Sequence, residues 1–314
     1  MDRDMKIAEA NTEPFYQFHR FNEELNRTMR ITVAGLALVK QMATQNRTGG
    51  SPVHLPTDGE PWGKNVWNNP ARAVIPAGRF VSQMGVVRVV TALEDFCVGV
   101  KAEYDRYAQI QGTPVESKNN SEVDDEGISP TKLYAELAWN KEILDTLDPL
   151  YEYFSKVRNC IVHRSGRASK ALNKYAGSSR LTNSVNAWQG PRNKKLPSLP
   201  TITIGNDLPV LPRHAILASE VCRRIAVDAN EKLLNYLGVE GIAYMAAHHS
   251  LLSDTPIATN AKNSAQAILN WILTNRYHVR LDYREEAVQA LGRLAKWRPY
   301  LRKFERLYGK GASA

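Results

Sequence analysis

DPLYEYFSKVRNCIVHRSG, residues 148 to 166 of this 314-residue chain, combines a regular apolar spacing with a cluster of polar residues. Its large apolar residues recur at intervals of four, three and four, at Leu150, Phe154, Val157 and Ile161. This spacing predicts an amphipathic helix with one face against a core. Asp148 and Pro149 are typical of a helix start, and Gly166 is typical of a helix end. We therefore expect a single helix across this stretch.

Three polar residues of the same stretch carry the candidate chemistry: Arg158, Asn159 and His163. At about 100° per residue, Asn159 and His163 fall opposite the apolar face, one turn apart, and Arg158 lies on the flank. His163 therefore points away from the predicted core. Such a histidine is either a solvated surface residue or part of a site, and helical geometry alone leaves both interpretations open.

These residue types suit cleavage of RNA without a metal ion, in which the 2′-hydroxyl attacks the neighbouring phosphate. The imidazole of a histidine takes up and releases protons near neutral pH. An arginine stays charged and stabilises the phosphorane that develops. An asparagine orients the imidazole or binds a phosphate oxygen. We therefore interpret Arg158, Asn159 and His163 as candidate catalytic residues.

The hexapeptide RNCIVH, residues 158 to 163, resembles the Rx4–6H motif of the HEPN superfamily in its RNxxxH form. Its setting is similar as well, because an aromatic, apolar helix precedes it and a glycine follows. The resemblance covers about residues 79 to 238. It implies an antiparallel all-α bundle, metal-independent endoribonuclease activity without a cofactor, and a homodimer whose two motifs form one composite site. It also implies catalytic roles for Arg158 and His163, with support from Asn159.

The resemblance further implies a cellular role as a toxin or an antiviral, abortive-infection effector, with an antitoxin or another regulatory partner. Two other hypotheses stay open. A HEPN-like bundle that binds RNA or a protein without cleavage uses the same surface. In a related arrangement, a tyrosine two residues after the histidine accepts nucleotides from a partner transferase. Ser165 occupies that position here, which argues against control by AMPylation and leaves other antitoxins open.

The charge distribution favours an anionic partner. The net charge is +9 and the pI is about 9.4, and no Asp or Glu occurs between Tyr153 and Asn206. A basic tract that begins at the candidate site is expected to attract a phosphate backbone; a solvated basic loop is the alternative. The residues predicted to bind RNA are Arg164, Arg167, Lys170, Lys174, Lys194 and Lys195.

Other sequence features argue against a disulfide-stabilised, metal-binding, secreted or membrane protein. The three cysteines are too widely separated for a disulfide framework or a metal cluster, which suits a reducing compartment. The adjacent His248 and His249 point about 100° apart on a helix and have no neighbouring ligands, so we predict no metal site. The first residues do not resemble a signal peptide, and the apolar run at 31–39 is too short to cross a bilayer. We expect a cytoplasmic protein without a membrane partner.

The chain divides into three predicted parts. Residues 1–78 form an N-terminal helix and a linker, with Trp62 and Trp67, that pack on the bundle. Residues 79–238 form the HEPN-like domain. Residues 239–314 form a basic helical unit, which is either an appendage that binds RNA or a partner, or a packed helical pair whose basic side faces water.

Within these parts we expect all-α structure, with helices at about 79–108, 129–147, 212–237, 261–274 and 283–308 besides the motif helix. The first of these begins its apolar stripe at Phe80. Residues 177–200 are predicted to be irregular. Gly205 and Asn206 suit a tight turn, so the basic insertion is expected to hold a small β-hairpin around residues 202–207.

Overall fold

The computed structural model describes residues 10–45, 70–113, 127–188, 196–257, 264–279 and 284–309. Trp62, Trp67, Lys194 and Lys195 lie outside these ranges. Within them the protein is all-α, with ten α-helices packed as a bundle and no strand. The predicted fold class is therefore confirmed at the level of an all-α bundle.

The helices follow one another with short connections. In chain order they are α1 Glu13–Gln45, α2 Pro70–Ile110, α3 Pro130–Glu136, α4 Glu142–His163, α5 Lys170–Ala176, α6 Ser179–Ala187, α7 Pro212–Ala247, α8 Ala265–Asn275, α9 Arg284–Arg293 and α10 Trp297–Tyr308. A π-helical turn, His248–Leu252, follows α7 directly.

The chain forms two compact units. The first contains Met1–His19, Glu94–Asn140 and Ile225–Ala314, and the second contains Arg20–Leu93 and Lys141–Arg224. The candidate motif on α4 belongs to the second unit, together with α5 and α6. Three long helices, α1, α2 and α7, contribute residues to both units.

In the second unit, α2 packs closely against α1 and α7 at Gly85. A β-carbon built at Gly85 lies 3.1 Å from the Met29 sulfur and 3.1 Å from the Ala215 side chain, so a larger residue there would require these neighbours to shift. The adjoining Val86 and Val89 are fully buried. By length and composition, Arg72–Ile110 is the one described helix that could cross a membrane, a test that the core helix of a soluble protein also passes.

In the first unit, polar contacts hold the N-terminal residues. The Thr12 backbone N–H donates to the Asn230 side chain at 2.9 Å. The Glu13 carboxylate, which is 2% exposed, accepts hydrogen bonds from Arg276 and from the Tyr277 hydroxyl. A buried carboxylate is stable only when it is paired in this way.

The motif helix is longer than predicted. It begins at Glu142, so that Asp148 is not its N-cap and Pro149 lies inside it. The preceding helix starts as predicted, because the Ser129 hydroxyl accepts a hydrogen bond from the Lys132 N–H at 3.3 Å. That helix ends early, at Glu136, and Ala138 has a φ of +51°. The break between the two helices therefore lies at 137–141.

Other predicted boundaries also move. The first long helix, predicted from residue 79, already begins at Pro70 and carries Pro76 inside it. The expected C-terminal helix at 283–308 is two helices, since Ala295 has a φ of +55° between α9 and α10. The helix predicted at 212–237 is interrupted at Gly238 and then continues to Ala247.

Two predictions for the basic insertion are wrong. Residues 179–187 form α6 rather than irregular chain; Ser178 caps it by accepting from the Leu181 N–H, and Leu181 is buried. The predicted β-hairpin is absent from the described part, although its turn forms: the Asn206 N–H donates to the Thr203 carbonyl at 3.1 Å. The residues around that turn pair with residues 166–168, which follow the motif helix, instead of with each other.

Candidate functional site

The last turns of α4 present the three candidate catalytic residues at one end of the helix. Leu150, Phe154 and Val157 are buried, as the apolar spacing predicted. On the other side Asn159 and His163 are exposed, and Arg158 is partly buried on the flank. The predicted phase of the helix is therefore confirmed, and His163 lies outside the core.

Arg158 and Asn159 are joined by a direct hydrogen bond. The Arg158 Nη1 donates to the Asn159 Oδ1 at 3.0 Å. Asn159 thus orients the guanidinium, a role that helical spacing does not reveal. Arg158 and His163 are five residues apart, which on an α-helix is about 140° of rotation. No hydrogen bond joins these two side chains within the described structure.

The chain turns sharply after His163. The Cys160 carbonyl accepts hydrogen bonds from the Arg164 and Gly166 N–H groups, both at 3.1 Å. Ser165 and Gly166 have φ values of +51° and +80°. A β-carbon at Gly166 would lie 3.1 Å from the amide nitrogen of Gln83 on α2. Glycine is therefore favoured here by its backbone conformation, and α2 approaches it closely at Gln83.

The segment around Gly205 forms backbone hydrogen bonds with the residues that follow the motif. Leu208 N–H donates to the Gly166 carbonyl at 2.8 Å, and Ala168 and Asn206 are joined by a backbone bond of 2.9 Å. An isolated antiparallel bridge pairs Arg167 with Asp207. The Asp207 carboxylate binds Arg79 of α2 at 3.0 Å. The end of α4, α2 and residues 203–208 therefore meet at one place.

The basic tract divides into a neutralised part and an unpaired part. Arg180 of α6 binds the carboxylates of Asp148 and Glu152 on α4, at 2.6 and 2.7 Å, and Lys156 binds Glu152 at 3.2 Å. These pairs lie along the first half and the middle of α4. The predicted RNA-binding residues that the structure describes are exposed and have no ion-pair partner among the described residues: Arg164, Arg167, Lys170 and Lys174.

Three large apolar residues on the segments that meet at the end of α4 are exposed: Phe80 by 63%, Val162 by 53% and Ile204 by 50%. We expected Phe80 in the apolar stripe of its helix, and this prediction is wrong. It is 120° out of phase with the buried Val86, as the spacing of six residues shows.

A second polar cluster lies in the first unit. His249 and Glu103 are joined at 2.7 Å, and Arg106 also binds Glu103. Burial, with the charges of Arg106 and His249, lowers the pKa of His248 to about 4. In the described ranges, no group of three or more His, Cys, Asp and Glu side chains is arranged to hold a metal ion.

Comparison with known proteins gives no relative. No protein-family model, no curated protein and no solved structure matches the chain. Its function is therefore to be inferred from its own residues.

Proposed function

We propose that the protein is a metal-independent endoribonuclease of the HEPN type that acts as a homodimer. Its cellular role is that of a cytoplasmic toxin or antiviral effector under the control of an antitoxin or another regulator. The observation that carries the proposal is the exposed His163 at the end of α4, one turn from the bonded pair of Arg158 and Asn159. Exposed cations without an ion-pair partner among the described residues follow it in the chain, and Asp207, which pairs with Arg167, is bound to Arg79.

In this proposal one His163 takes the proton of the 2′-hydroxyl, and the oxygen attacks the neighbouring phosphorus. The bond to the 5′-oxygen breaks, and that leaving oxygen takes up a proton from water. The products are a 2′,3′-cyclic phosphate and a 5′-hydroxyl end. Arg158, held by Asn159, stabilises the charge that accumulates on the phosphoryl oxygens. Arg164 and Arg167 bind the adjoining phosphates.

A second candidate function is binding of RNA or a protein without cleavage. The observation that favours it is the separation of Arg158 from His163 by about 140° on one helix, while Arg158 is engaged with Asn159. The same surface then serves as an anionic docking site. The two functions differ in what His163 does, because a binding module does not require an imidazole that exchanges protons.

The test is cleavage of an RNA mixture by the purified full chain in the presence of EDTA. We expect His163→Ala to reduce the rate at least about 100-fold, the usual contribution of a general acid or base. His278→Ala is the matched control, since His278 is another exposed histidine outside the site, and it should cleave normally. A 2′-deoxy nucleotide at the cut should block cleavage. Efficient cleavage of DNA contradicts the mechanism, and unchanged activity of His163→Ala removes His163 from it.

A further inference from the structure

Phe80 lies on α2 beside the end of the motif helix. Its sequence neighbour Arg79 binds Asp207, which pairs with Arg167. Gln83, three residues further along, lies against Gly166. Three residues on a helix return to within about 60° of the same face. Phe80 is therefore on the edge of the α2 surface that contacts the motif, and its ring is 63% exposed.

The segment of α2 that carries Phe80 has no acidic residue. Residues 70–93 contain no Asp or Glu. The Asp207 carboxylate is held by Arg79 at 3.0 Å, so it does not neutralise Arg167. Arg164 and Arg167 are exposed and have no ion-pair partner in the described structure. An exposed aromatic ring on a surface that also carries exposed arginines is a combination that binds single-stranded nucleic acid, because the ring stacks on a base and the cations bind phosphates.

We propose that Phe80 is a stacking platform for an unpaired base next to the cleaved bond, which makes single-stranded RNA the substrate class. The inference rests on the proposed ribonuclease site for the position of that bond. A base inside a duplex is stacked on both sides and has no free face for the ring. Phe80 therefore selects loops and single strands over duplex RNA.

The experiment measures the affinity of the full-length protein for a single-stranded 2′-O-methyl oligoribonucleotide. This RNA lacks the attacking hydroxyl, so binding is measured without cleavage. A 2-aminopurine in the strand reports stacking through its quenched fluorescence. We expect Phe80→Ala to weaken the affinity for the single strand about tenfold and to restore the fluorescence, the loss expected for one base–aromatic stack. Phe80→Trp should keep both the affinity and the quenching.

Ile31→Ala is the matched control, since Ile31 is an apolar residue that is 66% exposed on a different helix, α1. It should bind as the wild type does. The proposal is overturned if Phe80→Leu binds as well as Phe80→Trp, because a plain apolar contact then suffices. It is also overturned if Phe80→Ala converts a dimer to a monomer in light scattering, because Phe80 then contacts a second copy.

The two proposals fail in different ways. If the wild type binds the oligonucleotide through Phe80 and cleaves no unmodified RNA, the ribonuclease is wrong and the stacking site stands. If the wild type cleaves RNA and Phe80→Ala binds and cleaves as the wild type does, the ribonuclease stands and the stacking site is wrong. Equal affinity for single-stranded and duplex RNA contradicts the substrate class.

Discussion

His214 links the start of α7 to the chain before it. Its Nδ1 accepts the Leu211 N–H at 3.0 Å, and its Nε2 lies 3.0 Å from the Ser198 carbonyl, to which the neutral imidazole donates. The residue is 2% exposed. Burial lowers the pKa of His214; the bond to Ser198 opposes this shift and the charge of Arg213 reinforces it.

The lowered pKa makes the stability of the protein depend on pH. Because folded His214 binds a proton less readily than unfolded His214, its contribution is complete above the ordinary histidine pKa. The contribution is lost as the pH falls through that value towards the folded one. Protonation also breaks the bond from Leu211, since Nδ1 can then no longer accept. We expect the free energy of unfolding to decrease between about pH 7 and pH 5.

The measurement is urea unfolding at several pH values for the wild type and for His214→Gln, whose amide accepts and donates without titrating. The loss of stability towards pH 5 should be smaller in the variant, and the difference between the two curves isolates His214 from the other histidines. Parallel curves would show that His214 does not titrate in this range.

At the residue scale, the sequence predicts orientation well and contacts poorly. The 4-3-4 spacing places Asn159 and His163 outside the core, and both are exposed. The hydrogen bond from Arg158 to Asn159 depends on side-chain rotamers, and helical phase does not determine rotamers. The same limit applies to Phe80, since a count of apolar residues at helical spacing does not say which of two adjacent stripes is buried.

At the scale of elements, the turn within residues 203–208 is bonded to the residues that follow the motif helix. A substitution in this turn measures how much its backbone conformation contributes to stability. Gly205 occupies the third position of the turn with a φ of +79°, which suits glycine far better than other residues. A β-carbon there would meet nothing within 4 Å. The cost of Gly205→Ala is therefore conformational alone, and we expect a loss of stability of about 1 kcal/mol.

Gly35 provides the matched comparison. It lies within α1, and a β-carbon there also meets nothing within 4 Å. Gly35→Ala should increase stability by about 1 kcal/mol, because alanine is the better helix former. Thermal or urea unfolding of both variants checks the opposite signs. If both variants are stabilised, the turn at Gly205 does not hold the positive φ in solution.

The helices that sequence patterns predicted are those with long apolar stripes or strong caps. Ser129 starts its helix as expected. α6 was not predicted, since Ser179–Ala187 consists largely of polar, weak helix formers. Tertiary contacts stabilise it: Arg180 binds two carboxylates of α4, and the Ser184 hydroxyl donates to the Thr146 carbonyl. Such contacts join residues about 30 to 40 positions apart. A pattern within a short stretch of sequence therefore cannot predict them.

At the scale of the whole molecule, the candidate site depends on contacts between distant parts of the chain. Arg79 and Asp207 are 128 residues apart, and Gln83 meets Gly166. Composition predicted the basic character of this surface, and the acid-free tract predicted where it begins. Which cations remain unpaired could not be predicted, because Arg180 and Lys156 are neutralised by carboxylates whose positions only the folded chain sets.

The separation of Arg158 and His163 on one helix leads to a prediction about subunits. If the proposed site is composite, it combines Arg158 of one protomer with His163 of the other. Arg158→Ala and His163→Ala should each be nearly inactive alone. When the two variants are co-expressed with different tags and the mixed dimer is purified, one site can again hold one arginine and one histidine. We expect this dimer to recover part of the wild-type rate of RNA cleavage.

The control is a mixed dimer of Arg158→Ala with the double variant R158A/H163A, which contains no intact Arg158 and should stay inactive. Recovery in the first dimer and not in the second assigns the two groups to one site built by two protomers, because neither chain then carries both. If the first mixed dimer forms and stays as inactive as the control, Arg158 and His163 act within one chain. The rotation of 140° between them would then have to be bridged by a change in α4 itself.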